Sequence, residues 1–174
     1  MKNKSLKIFA ILIPVFVIGI LAYLFFNFQE KKEKIKQLEN IPSFTLQTID
    51  GSSFTSQSLD NENHKVIIYF SPDCHFCQAE AEELSVMYKN YKNTEWIWIA
   101  SEPLKQIKTF AEKYKLHNYK NIHWCYDDKA NFYRRFQMKS VPYFLVYDEK
   151  NHLINRNSGA IKLTKLLRHF DEKH

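Results

Sequence analysis

The sequence predicts an α/β protein: a central mixed β-sheet flanked by helices, with an N-terminal β-hairpin extension and one N-terminal transmembrane helix. Three observations carry that expectation. Ile8 to Phe28 contains no charged residue. Two later runs, Val66-Ile67-Ile68-Tyr69-Phe70 and Trp96-Ile97-Trp98-Ile99-Ala100, are apolar without alternation, which marks strands buried on both faces. A helical pattern lies between them, so strand, helix and strand form a βαβ unit with a right-handed crossover. Composition agrees. Of 174 residues 45% are hydrophobic and 16% aromatic, with 3 Gly and 5 Pro, which excludes a disordered or collagen-like chain.

Residues 1–28 read as a cytoplasmic tail and a membrane anchor. At about 1.5 Å per residue the stretch 8–28 spans roughly 30 Å, the hydrocarbon thickness of a bilayer. A cleaved signal peptide would have a shorter apolar region ending in a small-x-small site, and Gly19 and Ala22 lack that spacing. Lysines flank both ends: Lys2, Lys4 and Lys7 before the stretch, and Lys31, Lys32, Lys34 and Lys36 after it. A short tail carrying three lysines and the α-amino group is hard to translocate. The expected topology is therefore a single pass through the cell inner membrane, with the C-terminal domain on the periplasmic, extracytoplasmic side. Residues 29–40 are charged and free of Gly and Pro, and read as a helical stalk.

Residues 41–174 form the expected α/β domain. Phe44-Thr45-Leu46 and Phe54 flank Asp50-Gly51, a hairpin turn signal. After the first apolar strand, Phe76, Ala79, Leu84, Met87, Tyr88 and Tyr91 mark a helix face. The second strand leads into Ser101-Glu102-Pro103, a helix start, and a stripe of Leu104, Ile107, Phe110, Ala111 and Tyr114. Ile122 to Tyr126 is a short strand, and Asp127-Asp128 are expected to cap a helix bearing Ala130, Tyr133 and Phe136. Pro142 opens the strand Tyr143 to Tyr147, which turns at Asp148 to Asn151 into His152-Leu153-Ile154. Ser158-Gly159 precedes a last helix with Leu163, Leu166, Leu167 and Phe170 on one face. The net charge of +6 sits mostly near the start, where residues 1–40 hold seven Lys against three Glu. The domain has no basic run, so nucleic acid is not an expected partner.

The motif that carries chemistry is Ser71-Pro72-Asp73-Cys74-His75-Phe76-Cys77, between the first buried strand and its helix. A Cys-x-x-Cys there puts Cys74 at a helix N-terminus, where unpaired N–H groups and the helix dipole favour thiolate. Two intervening residues let Cys77 close a disulfide with Cys74, which makes Cys74 the exposed nucleophile and Cys77 the resolving thiol. Glu80 follows three residues on, sharing a helix face with Phe76, Leu84 and Met87. A carboxylate on an apolar stripe is partly desolvated and so able to trade protons near neutrality, whereas Glu82 and Glu83 are expected to reach solvent. Cys125 is an odd thiol, read as a bystander in the sheet beside His123.

With those residues in hand, the chain resembles membrane-anchored thioredoxin-like thiol-disulfide oxidoreductases of the TlpA/ResA type, within the redoxin (AhpC/TSA) group. The resemblance is carried by Ile41-Pro42-Ser43-Phe44-Thr45-Leu46 with Asp50-Gly51, by Cys74-His75-Phe76-Cys77 after its strand, and by Val141-Pro142 before a late strand. It implies a thioredoxin-like fold, a redox-active disulfide between Cys74 and Cys77, a functional Glu80, and a cis Val141–Pro142 bond facing the disulfide. It also implies a substrate-contact surface of Val141, Pro142, His75 and Phe76, and protein thiols or disulfides as substrates. A membrane electron-transfer protein is the implied redox donor, and the chemistry needs no cofactor. Three departures bear on the potential. Asp73 stands where many relatives have Trp, and as a helix cap it would compete for the N–H groups that favour the Cys74 thiolate. His75 acts oppositely when protonated, and Phe76 replaces a frequent Pro.

Two other classes fit parts of the pattern. A peroxiredoxin-like thiol peroxidase would use Ser71 three residues before Cys74, but Ile67 stands where its upstream Pro should be. A metallochaperone would hold Cu(I) on Cys74 and Cys77, and a closed zinc site would need Cys74, Cys77, His123 and Cys125 to converge.

Overall fold

The computed structural model describes residues 2–60, 62–136 and 138–171, with side chains described outside 2–11, 31, 34, 35, 169 and 171. Met1 and residues 172–174, the outer ends of the expected tail and domain, lie outside the described residues. The chain divides into two compact units, residues 1–37 and 38–174.

The first unit is one helix, α1 (Lys2–Lys36), which runs through Pro14. Its stretch Leu12–Glu30 has a mean hydropathy of 2.0 and is long and apolar enough to cross a membrane. Leu12, Phe16, Ile18, Tyr23 and Phe26 are all exposed within the unit, the signature of a helix whose solvent is lipid or of a signal sequence.

The second unit holds β1 (Thr45–Thr48), β2 (Ser53–Thr55), β3 (His64–Tyr69), α2 (His75–Met87), β4 (Thr94–Ala100), α3 (Leu104–Lys113), β5 (Ile122–Tyr126), α4 (Asn131–Arg135), β6 (Tyr143–Tyr147), β7 (Leu153–Ser158), α5 (Leu163–Leu166) and α6 (Arg168–Asp171). The seven strands form one mixed sheet in the order β2-β1-β5-β4-β3-β6-β7. The central strands β3, β4 and β5 are parallel, and the flanking strands pair antiparallel. The continuous apolar runs are explained by two cores, one on each face. Val66, Ile68, Phe70, Trp96, Trp98 and Trp124 face α2, α3 and α5. Ile67, Tyr69, Ile97, Ile99 and Cys125 face Phe44, Phe54, Phe132 of α4 and Phe136 at its C-terminal end. The hairpin turns at Gly51, whose φ of 87° suits glycine.

Several boundaries differ from the sequence expectation, each for a physical reason. The folded unit starts at Leu38, inside the expected stalk. Leu38 is 1% exposed, and Leu153 N–H donates to the Glu39 carbonyl at 2.9 Å. β7 continues to Ser158, paired with Tyr143; its polar Asn155, Arg156 and Asn157 hide a strand that lies at the sheet edge and needs no apolar face. The last helix is two short pieces, because Leu167 (φ −96°, ψ 3°) leaves helical geometry. The helix after β5 starts only at Asn131, since Lys129 and Ala130 have φ of 53° and 52°. Asp127 still caps it, from outside the helix: its carboxylate accepts the Phe132 N–H at 2.9 Å and the Tyr133 N–H at 3.2 Å.

Candidate functional site

β3 delivers the motif to the C-terminal end of the parallel strands. Phe70 N–H still pairs with the Ile99 carbonyl at 2.9 Å, and Cys74 N–H closes a turn onto the Ser71 carbonyl at 3.1 Å. Cys74 itself is the N-cap of α2, with φ −80° and ψ 116° and no side-chain cap. Asp73, expected as that cap, is exposed outside the helix. The first-turn N–H groups are thus left without competition from a carboxylate.

Both thiols are free and unequal. Cys74 is half-buried and Cys77 fully buried. Burial pushes the Cys77 thiol up; a backbone hydrogen bond with Ser71 opposes this, while the adjacent Cys74 thiol and the Glu80 carboxylate add to it. Cys74 Sγ lies 3.6 Å from the Val141 carbonyl oxygen, and the Val141–Pro142 peptide bond is cis. The chain therefore places Val141 and Pro142 beside the first sulfur, though they lie far along the sequence.

The helix face differs from the expected stripe. Cys77, Glu80, Ala81 and Leu84 are the buried residues of α2, while Phe76 is 60% exposed and Ala79 is exposed. Phe76 and His75 thus lie open beside Cys74. Glu80 is 4% exposed. Its Oε1 accepts the Ile161 N–H at 2.9 Å, and its Oε2 has no hydrogen-bond partner among the described residues. Burial raises the Glu80 carboxyl to about 7, the Ile161 N–H pulling it down and Glu83 pushing it up. Glu83, expected in solvent, is half-buried and accepts the Leu163 N–H at 3.1 Å.

The remaining candidates lie elsewhere. Cys125 is buried in the opposite core from Cys77, and burial pushes its thiol up to about 12, with Asp50 adding to the effect. His123 Nε2 is 2.6 Å from Glu95 Oε2, and the ring stacks on Phe54 at 4.3 Å. Cys74, Cys77, His123 and Cys125 therefore do not converge on one point. Ile67 is paired on both sides within the sheet, opposite Ile97 and Leu145, so the loop a thiol peroxidase would use there is strand.

Sequence reasoning missed two groups. One is Tyr69, whose hydroxyl donates to the buried Asp127 carboxylate at 2.9 Å beneath this end of the sheet; nothing local signals that pairing. The other is Glu83, for which the spacing Cys77, Glu80, Glu83 was a usable clue, since steps of three stay on one side of a helix.

Comparison with known proteins supports the geometry. The family model of the AhpC/TSA family matches residues 38–157. The soluble secreted antigen MPT53 of Mycobacterium tuberculosis is 27% identical over 126 residues, covering 71% of this chain and 70% of that protein. The crystal structure of a secreted Mycobacterium tuberculosis disulfide oxidoreductase homologous to E. coli DsbE superposes with a TM-score of 0.63 at 23% identity, covering 79% of this chain and 98% of its own. The thioredoxin domain of a thiol-disulfide oxidoreductase from Bacteroides vulgatus gives 0.62 at 13%, covering 76% and 96%. The fold is thioredoxin-like.

Proposed function

The chain belongs to the AhpC/TSA family, and we propose that it is a thiol-disulfide oxidoreductase acting outside the cytoplasm as a reductant of protein disulfides. The supporting observation is the pair of unequal thiols at the start of α2, the outer one beside Val141–Pro142. Cys74 thiolate attacks a substrate disulfide, forming a mixed disulfide, and the displaced substrate sulfur leaves as thiolate and takes a proton. Cys77 then gives its proton to the Glu80 carboxylate and attacks Cys74 Sγ. The second substrate sulfur leaves, and a Cys74–Cys77 disulfide remains. Two electrons pass from the dithiol to the substrate. A dithiol on a membrane electron-transfer protein reverses the last steps and restores the enzyme.

The direction has physical support. Burial penalises the Cys77 thiolate, so this second thiol adds no thiolate stabilisation to the reduced form, and stabilisation of that form is what makes a strong oxidant. The exposed Phe76 and His75, with Val141 and Pro142, offer the surface against which an unfolded or extended substrate segment rests. Localisation follows from an anchor of residues 8–28 with N-terminus inside, and is supported by the secreted relatives named above. The working divisions are tail and anchor (1–28), stalk and the thioredoxin-like domain.

The test is a trap. Cys77→Ser is expected to accumulate a mixed disulfide with substrate protein, visible by non-reducing electrophoresis, while Cys74→Ser abolishes exchange. A Cys77→Ser chain that captures nothing in its own cell envelope refutes the reading. Equilibration with glutathione or dithiothreitol is expected to give a potential more negative than about −200 mV; a value near −120 mV would reverse the direction.

A further inference from the structure

Every second N–H of the segment that leaves β7 is held from the redox site. Gly159, whose φ of 90° lets the chain reverse, donates to the Pro142 carbonyl at 2.9 Å. Ile161 donates to Glu80 at 2.9 Å and Leu163 to Glu83 at 3.1 Å. The segment is thus fastened at one end to the cis-proline loop and at the other to two carboxylates of α2. Those carboxylates continue the row begun by Cys77, each one turn further along the same side of the helix.

We propose that Glu83 is a positioning residue for thiol exchange: by fastening Leu163 it keeps the segment in register so that Ile161 holds one oxygen of Glu80, and its charge adds to burial in tuning the pH at which Glu80 accepts the Cys77 proton. The proposal rests on the reading of Glu80 as that acceptor. Geometry limits the alternatives. A carboxylate clamped through Oε1 keeps Oε2 for the proton, whereas a freed segment would let Glu80 rotate away from Cys77. The charged groups around Glu80 are few. Cys77 and Glu83 share its helix, and Lys162 and Lys165 on the neighbouring segment and α5 are both exposed. Phe70 and Phe144 of the core on this face of the sheet and the Val141–Pro142 loop bring no titratable group. Of these charges it is Glu83 that raises the Glu80 carboxyl.

The experiment follows resolution of a Cys74 mixed disulfide by Cys77 in the full-length protein in detergent. The aryl disulfide DTNB is the probe. Its first aryl thiolate is released when Cys74 is loaded, and its second when Cys77 displaces it. The second rate is measured from pH 5 to 9. The wild type is expected to rise through about pH 7, and Glu80→Gln to lose that rise. Glu83→Gln keeps an acceptor for Leu163 but not the charge. Its midpoint is expected to move down by about half a unit, making the reaction roughly 2–3-fold faster at pH 6 and unchanged at pH 8.5. Glu83→Ala, which also frees the segment, is expected to be slower than Glu83→Gln at every pH. If Glu83→Gln lowers only the melting temperature and leaves the midpoint in place while Glu80→Gln abolishes the rise, Glu83 is structural and the proposal fails alone. If Glu80→Gln keeps the wild-type profile, the reading of Glu80 fails and takes the proposal with it.

Discussion

At the scale of single residues, the site works through burial differences within one helical turn. Cys74 meets solvent and Cys77 does not, so in the proposed exchange access as much as order in the chain makes Cys74 the attacking thiol and Cys77 the resolving one. Glu80 gives the sharpest consequence. Its carboxyl stands at about 7 when folded against 4.5 ordinarily, so between those values the native state holds a proton that the unfolded chain has released. Its contribution to stability is complete below pH 4.5 and is lost as pH rises through 7. Glu80→Gln is therefore expected to be more stable than wild type at pH 8, by on the order of 2 kcal/mol, with the gap closing below pH 4.5. Thermal denaturation at the two pH values measures this, and a pH-independent gap would refute it. The pair Cys74 and Cys77 was legible because its chemistry is local. The burial of Glu83 and the exposure of Phe76 were not, since the side of α2 that is covered depends on where α5 and the segment before it pack.

At the scale of elements, capping and packing decide boundaries that periodicity blurs. Asp127 terminates β5, caps α4 through two N–H groups and accepts the Tyr69 hydroxyl. Asp127→Ala would orphan all three donors, and we expect a loss of about 3 kcal/mol, read by denaturant titration. Asp127→Asn, which keeps an acceptor, is expected to lose less than half of that. Leu84 is fully buried on the covered face of α2; Leu84→Ala is expected to cost about 2–5 kcal/mol, read by denaturant titration. The central strands and α3 were readable from their runs and stripe. β7 and the break at Leu167 were not, because an edge strand tolerates polar residues and a short terminal helix is held by its neighbours rather than by its own pattern.

At the scale of the whole molecule, the chain is an apolar helix joined to an α/β domain whose first buried residue is Leu38. A fragment of residues 38–174 is expected to fold and retain exchange. A fragment starting at Ile41 loses the Leu38 side chain and the Glu39–Leu153 hydrogen bond, and should be less stable by about 2–4 kcal/mol. Equal melting temperatures for the two fragments would place the boundary at 41 instead. The full chain, expected to sediment with membranes and to need detergent for release, would contradict an anchor if a shortened, soluble form were found in its cells.

The amino-acid order alone determined what depends on neighbours in the chain: an apolar stretch long enough for a bilayer, buried strands with a helix between them, and two sulfurs one turn apart at that helix's start. Only the tertiary structure decided what depends on distant segments meeting. It brought Val141–Pro142 against Cys74, gave Glu80 and Glu83 the N–H groups of Ile161 and Leu163, and set Cys125 in the opposite core. The reason is that desolvation and hydrogen bonding across more than 60 residues of separation have no periodic trace in a sequence, whereas helix and strand geometry do.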